Sequence, residues 1–219
     1  MQLKEVLFSQ VLAYFHFSAP AGGNIYGVEL AKALQSRYGF LEGPKTVQEY
    51  NLATGVTFLH GYFDRRVVID KCQVFQNGLI VESKSSVNEC DAFIDDMVEW
   101  ATKDENIAIT PWENAARGYC SHLEVICEAS LSGAFKRYQE VIDMLSEMLS
   151  GYGHSALIYE PVSISLHTDI TEVPYPKPNA FTFTRRVQQP YSSNIYFTEA
   201  PLRTDDHLKF LEAFEKILA

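Results

Sequence analysis

The sequence predicts an α+β fold in which an antiparallel sheet carries helices packed on one face. Three observations predict it. Residues 67–75 and 79–84 are strand-like runs joined through Asn77-Gly78, a strong short-range hairpin signal. Apolar residues recur at helical spacing over 87–101 and again over 131–149. The order of elements over 1–103 starts again over 115–219, which predicts a pseudo-twofold repeat of strand, helix, three strands and helix.

Residues 7–17 are apolar enough for a buried strand or a helix, and periodicity does not choose between them. Gly22-Gly23-Asn24 breaks the chain before a helix at about 25–38, and the weakly patterned connection 39–54 leads to a strand at 55–63. The polar corner Asp64-Arg65-Arg66 turns into the hairpin and completes a three-stranded meander. With Asn77 and Gly78 as central turn residues, Val74 is expected opposite Val81, Gln73 opposite Glu82 and Cys72 opposite Ser83. One face of that sheet is then dry and the other wet. Ser86 and Glu89 form a capping box ahead of the stripe Cys90, Phe93, Ile94, Met97 and Trp100. Residues 102–114, polar at first and containing Pro111, connect the halves.

In the second half, 117–128 alternates Tyr119, Ser121, Leu123, Val125 and Cys127 against Cys120, His122, Glu124, Ile126 and Glu128, a strand with one apolar and one mixed face. Ser130 caps a helix whose stripe, from Leu131 through Phe135, Tyr138, Val141, Leu145 and Met148, is the strongest in the chain. Gly151 and Gly153 stop it. Strands are expected at about 155–166, 181–187 and 194–198. Thr204, Asp205 and Asp206 open a last helix with Leu208, Leu211, Phe214 and Leu218 inward. Placing Ser86 on Thr204 sets Cys90 on Leu208, Phe93 on Leu211 and Trp100 on Leu218, while Met97 falls on Glu215. The match is one of pattern. Two such halves sharing a sheet resemble saddle-shaped, TBP-like two-layer sandwiches in architecture, a likeness that implies no function.

A length of 219 residues suits a single compact domain, 1–219, built from a first half at 1–103 and a second at 115–219. Eighteen Lys and Arg against 28 Asp and Glu give a net charge of -10, a field that repels phosphate backbones and anionic lipid. Nucleic acid is therefore a poor partner. No run of 18 apolar residues exists to span a membrane, and Glu5, Gln10 and His16 interrupt the apolar start, so no removable leader is expected. Cys72, Cys90, Cys120 and Cys127 are sparse and no glycosylation sequon occurs, so reduced thiols in a cytoplasmic protein are the expectation.

The strong enzyme signatures are missing from the sequence, so no catalytic residue, metal ligand set or cofactor is nominated. Gly151-Tyr152-Gly153-His154-Ser155-Ala156 fits G-x-G-x-x-A, but it follows a helix and opens a strand, the reverse of a dinucleotide loop. A glycine helix stop is the better reading. Cys120 and His122 share a strand face with Glu124, the residue types of a zinc site or a nucleophile and its base, although a strand of mixed environment often carries a packed Cys and a satisfied His. His167 with Asp169, and Asp205-Asp206-His207, are weaker clusters. Acidic residues in a first helical turn already complement the helix dipole.

The most unusual segment is 169–179 (DITEVPYPKPN), whose alternating prolines stiffen an extended loop around Tyr175. Tyr175, Arg185, Arg186 and Tyr191 are the residue types of an interface hot spot. The reading favoured here is a non-catalytic protein-interaction or assembly module, a homo-oligomer or the subunit of a complex, contacting its partner through those four residues. The alternative is a small-molecule binder or enzyme with a site between sheet and helices near Cys120, His122 and His167.

Overall fold

The computed structural model describes residues 1–18, 27–110, 115–152 and 159–218. Its first segment is a strand, β1 (Gln2–Tyr14), continued after Phe15 by the short β2 (His16–Ser18). Period-two burial decides what helical periodicity could not, since Ser9, Val11 and Ala13 are buried while Gln10, Leu12 and Tyr14 between them are half-exposed. Helix α1 (Gly27–Tyr38) follows, and residues 25 and 26 of the expected helix lie outside the described residues. Then come β3 (Val56–Phe63), β4 (Val67–Phe75), β5 (Gly78–Ser83), helix α2 (Val87–Lys103) and β6 (Ala108–Thr110). The second half comprises β7 (Ala116–Ile126), a 3-10 turn at Leu131–Tyr138, helix α3 (Gln139–Gly151), β8 (Ser163–Leu166), β9 (Phe181–Arg185), β10 (Ile195–Ala200) and helix α4 (Thr204–Leu218).

Eight strands form one antiparallel sheet in the order β3-β4-β5-β1-β7-β10-β9-β8, and β2 pairs with β6 in a separate ribbon. Read outward from the centre, the order is β1, β5, β4, β3 on one side and β7, β10, β9, β8 on the other. The helices pack on one face, so the fold is α+β. Beneath them lie two apolar clusters. One joins Val11, Phe15, Phe58, Ile69, Val81, Phe93 and Ile94; the other joins Leu123, Val125, Leu131, Phe183, Tyr196 and Leu211.

The hairpin forms, but its register differs by two residues from the expected one. Cys72 lies opposite Val81, Gln73 opposite Ile80 and Val74 opposite Leu79, so Gln76 and Asn77 occupy the turn. Gly78 sits inside the ladder at φ +149, where a Cβ would lie 2.1 Å from Ala13 O. The glycine serves the close approach of β1, a contact invisible to local turn rules. Because the difference is even, every side chain keeps its face.

The capping box at Ser86 and Glu89 forms as expected, and α2 buries Val87, Cys90, Phe93, Ile94, Met97 and Trp100. The long stripe after Ser130 does not make one helix. Phe135, at φ -106 and ψ 15, kinks the 3-10 turn internally, and Tyr138, at φ -101 and ψ 4, separates that turn from α3. Leu131 is buried in that turn, whereas α3 carries no buried residue.

Candidate functional site

Among the described residues one face of the sheet is without helices, and its central strands carry Cys120 and His122 from β7, Phe8 from β1, and Phe197 and Glu199 from β10. Glu199 stands opposite His122 in the ladder, and Phe8 stands opposite it on the other side. Three ligand-type side chains converge. Cys120 Sγ is 3.3 Å from His122 Nε2 and 3.8 Å from Glu199 Oε1, and His122 Nε2 is 3.5 Å from Glu199 Oε2. The Phe8 and Phe197 rings flank the imidazole at centroid distances of 5.1 and 5.4 Å. Asn179 Nδ2 donates to Glu199 Oε1 at 3.3 Å.

This geometry differs from a relay of nucleophile, base and orienting carboxylate. A relay places the nucleophile on one ring nitrogen and the orienting carboxylate on the other, whereas here thiol and carboxylate both meet Nε2. Burial pushes the Cys120 thiol up to about 11, Asn179 opposes the rise, and the Glu199 charge adds to it. The thiolate needed for attack at neutral pH is scarce.

The other expected members of this site are elsewhere. His122, Glu199, Thr182 and Ser165 form a row across β7, β10, β9 and β8. His167 bonds Ser165 Oγ through Nε2 at 2.9 Å, at the far end of that row, three strand spacings or about 14 Å from His122. Glu124 shares the face but is already paired, with Lys4 on Oε1 and Arg186 Nε on Oε2 at 2.9 Å. Asp169 Oδ1 accepts from Thr171, Asp206 pairs with Lys209, and His207 is buried against Thr198. Among the described residues the converging metal-ligand group is Cys120, His122 and Glu199.

The four residues nominated for a partner do not form one patch. Tyr175 is 71% exposed with Lys177 Nζ over its ring, and the adjoining Pro176 packs over Gly118. Arg185 and Tyr191 lie near the other end of β7, because Tyr196 pairs with both Arg185 and Val125. Seven residues of strand, about 23 Å, separate Gly118 from Val125. Arg185 is itself internal, 5% exposed. Its guanidinium donates to Tyr191 O, Ser130 Oγ and Glu160, each at 2.9 Å, and lies 4.4 Å from the Tyr191 ring centroid. It braces Tyr191 from within the chain. Adjacent residues of a strand point to opposite faces, so Arg186 turns to the open face and pairs with Glu124.

Two further apolar features lie apart from this cluster. Between α1, α2, β3 and the β2/β6 ribbon lies a cavity of about 110 Å³ with walls from Phe15, Leu34, Tyr50, Phe58, Trp100 and Ile107. The second is α3, where Val141, Met144, Leu145 and Met148 are 63, 53, 44 and 58% exposed, with Tyr138 and Tyr152 exposed at its two ends.

The sequence matches no protein-family model and no curated protein. The chemistry is therefore read from the residues themselves. Sequence reasoning found Cys120 and His122 from their i, i+2 spacing and missed Glu199 and Asn179, which join them only through the register of β7 with β10 and the path of the loop before β9. It also found the stripe of α3 without the breaks at Phe135 and Tyr138 that set it apart from Leu131.

Proposed function

We propose that this chain is a protein-interaction module whose docking element is α3 and whose partner presents a basic amphipathic helix. The observation that carries the reading is the exposed apolar stripe of α3. Contiguous exposed apolar surface on a folded chain marks an interaction site, and methionines such as Met144 and Met148 adapt to a partner's shape. Glu140, Asp143 and Glu147 border the stripe, α3 contains no Lys or Arg, and the chain carries a net charge of -10. A second copy would set these carboxylates against one another, whereas a helix flanked by Lys or Arg complements them. The same balance disfavours nucleic acid. No described helix is long and apolar enough to cross a membrane. Four free, buried cysteines suit a reducing, cytoplasmic setting. The matching strand order of the two halves is read as a pseudo-twofold repeat. On that reading α3 takes the sequence place of α1, which buries Ala31, Leu34 and Tyr38 while α3 buries nothing.

The test is titration of the full chain with a synthetic Leu/Lys amphipathic helical peptide, followed by fluorescence anisotropy, beside a scrambled peptide of equal composition. Saturable binding of the patterned peptide is expected, at least tenfold weaker for the double variant Met144→Glu, Met148→Glu. These side chains are exposed, so the variant should keep the circular dichroism of the parent. Equal binding of both peptides, or binding indifferent to the substitutions, sinks the reading. Concentration-dependent dimerisation through α3 in sedimentation would assign the surface to a second copy and also overturn it.

A further inference from the structure

We infer that Cys120, His122 and Glu199 form a binding site for one zinc-type divalent cation on the open face of the sheet, through Sγ, Nε2 and a carboxylate oxygen. This site is independent of α3. Zinc bonds of about 2.3 Å to sulfur and about 2.0–2.2 Å to nitrogen or oxygen set ligand atoms roughly 3.3–3.6 Å apart in a tetrahedron. The separations here are 3.3 Å for Sγ to Nε2, 3.5 Å for Nε2 to Oε2 and 3.8 Å for Sγ to Oε1. The three side chains thus already gather their ligand atoms near coordination spacing, with a different Glu199 oxygen nearest Sγ and nearest Nε2, so that a small carboxylate rotation completes the set, and both neighbours meet the imidazole at the same nitrogen. A hydrogen-bonded relay would have used both nitrogens.

The donor set selects the metal. A thiolate and an imidazole favour zinc and its softer neighbours over magnesium or calcium, which prefer oxygen alone. Thiolate and carboxylate with a neutral imidazole sum to -2, which balances a divalent ion. The backbone that presents these ligands is rigid, because β7 and β10 lie inside the eight-stranded sheet, paired on both sides. Outer contacts orient the ligands as metal sites require. Phe8 and Phe197 hold the imidazole ring, and Asn179 donates to Glu199 Oε1. His122 and Glu199 keep about a quarter of their side-chain surface exposed, at 26 and 27%, so an ion can enter and the fourth position faces solvent. Three protein ligands with the fourth position left for water is an open site, not the closed four-ligand kind that only holds a fold together.

The experiment is titration of the metal-stripped full chain with Co²⁺, read by absorption, followed by back-titration with Zn²⁺. Expected are saturation at one equivalent, a thiolate-to-cobalt charge-transfer band in the near ultraviolet, visible bands of tetrahedral strength, and displacement by zinc. Cys120→Ser should abolish the charge-transfer band, and His122→Gln should weaken Co²⁺ binding at least tenfold. Asn179→Ala, which touches only the outer contact, should weaken it by about tenfold while leaving the band in place. Thermal unfolding of each metal-free variant shows whether it has folded, and His122→Gln, at a half-exposed position, serves should Cys120→Ser not fold. Absence of the band at one equivalent overturns the inference, as does a band that survives Cys120→Ser or binding unchanged in His122→Gln.

Discussion

At the start of α4, His207 is fully buried, its Nε2 2.9 Å from Thr198 Oγ1 and its Nδ1 without a hydrogen-bond partner among the described residues. A protonated ring would bury both a charge and an unmatched donor. Burial, with a smaller contribution from His122, lowers its pKa from 6.5 to about 4. The unfolded chain therefore takes up a proton at a higher pH than the folded chain does. Stability falls as pH drops below 6.5 and stops falling on this account near pH 4. Between pH 7 and pH 4.5 the parent should lose about 2 kcal/mol more than His207→Gln does, measured by urea unfolding at both values. Equal losses would show that the buried imidazole does not govern the window. Sequence reading took His207 for part of an acidic cluster at a helix start, because its neighbours Asp205 and Asp206 are exposed and nothing local says that the next side chain turns inward. Cys120 and His122 were legible because strand alternation alone puts them together. Glu199, 77 residues further on, needed the ladder. Arg185 was misplaced for a reason present in the sequence, since of two adjacent arginines on a strand one must face inward.

Elements were most legible where one local device determines them. The capping box of α2 forms as its spacing requires, with Glu89 N donating to Ser86 Oγ and Ser86 N to Glu89 Oε2. Less visible was that this helix start is completed by another element. Val87 N donates to Thr204 Oγ1 at 2.9 Å, and Asn88 Nδ2 donates to Asp205 Oδ2 at 2.9 Å, so the first turns of α2 and α4 share their hydrogen bonds. Val87 and Thr204 are both buried, so no water replaces the hydroxyl. Thr204→Val keeps the shape and removes the acceptor, which should cost about 1–3 kcal/mol in chemical denaturation. Thr204→Ser keeps the acceptor and should cost less than half as much. A Val variant as stable as the Ser variant would mean that the hydroxyl adds nothing to the joint. The hairpin register and the fate of α3 were illegible for the same physical reason. Gly78 answers to Ala13 on a distant strand, and burial of an apolar stripe requires a surface to receive it, which no periodicity supplies.

Over the whole molecule, the two apolar clusters meet along a polar seam. Beneath the helix starts, Ser83, Ser9, Ser121 and Ala200 line up across β5, β1, β7 and β10, all fully buried and all small enough for α2 and α4 to approach. Above them Asp91 takes Arg117 at 2.7 Å and Arg203 at 2.8 Å, tying α2 to β7 and to the approach of α4. A polar seam of this kind contributes little apolar burial between the halves, so their coupling falls to β1. That strand pairs with β7 from Gln2–Ile126 to Tyr14–Ala116. Its early residue Val6, with Met1 just before the strand, packs on the second cluster, and its later residues Val11 and Ala13, with Phe15 just after the strand, belong to the first. The Met1 ammonium pairs with Glu215 of α4 at 2.6 Å. One strand thus contributes to both cores, and neither core is complete without it. The halves should therefore unfold together. Hydrogen exchange in rising urea, resolved by mass spectrometry, should show the amides of β4 in the first half and of β10 in the second losing protection at the same urea midpoint. Separate midpoints would mean that the seam, and not the shared strand, sets the cooperativity, with β1 remaining attached to the more stable half.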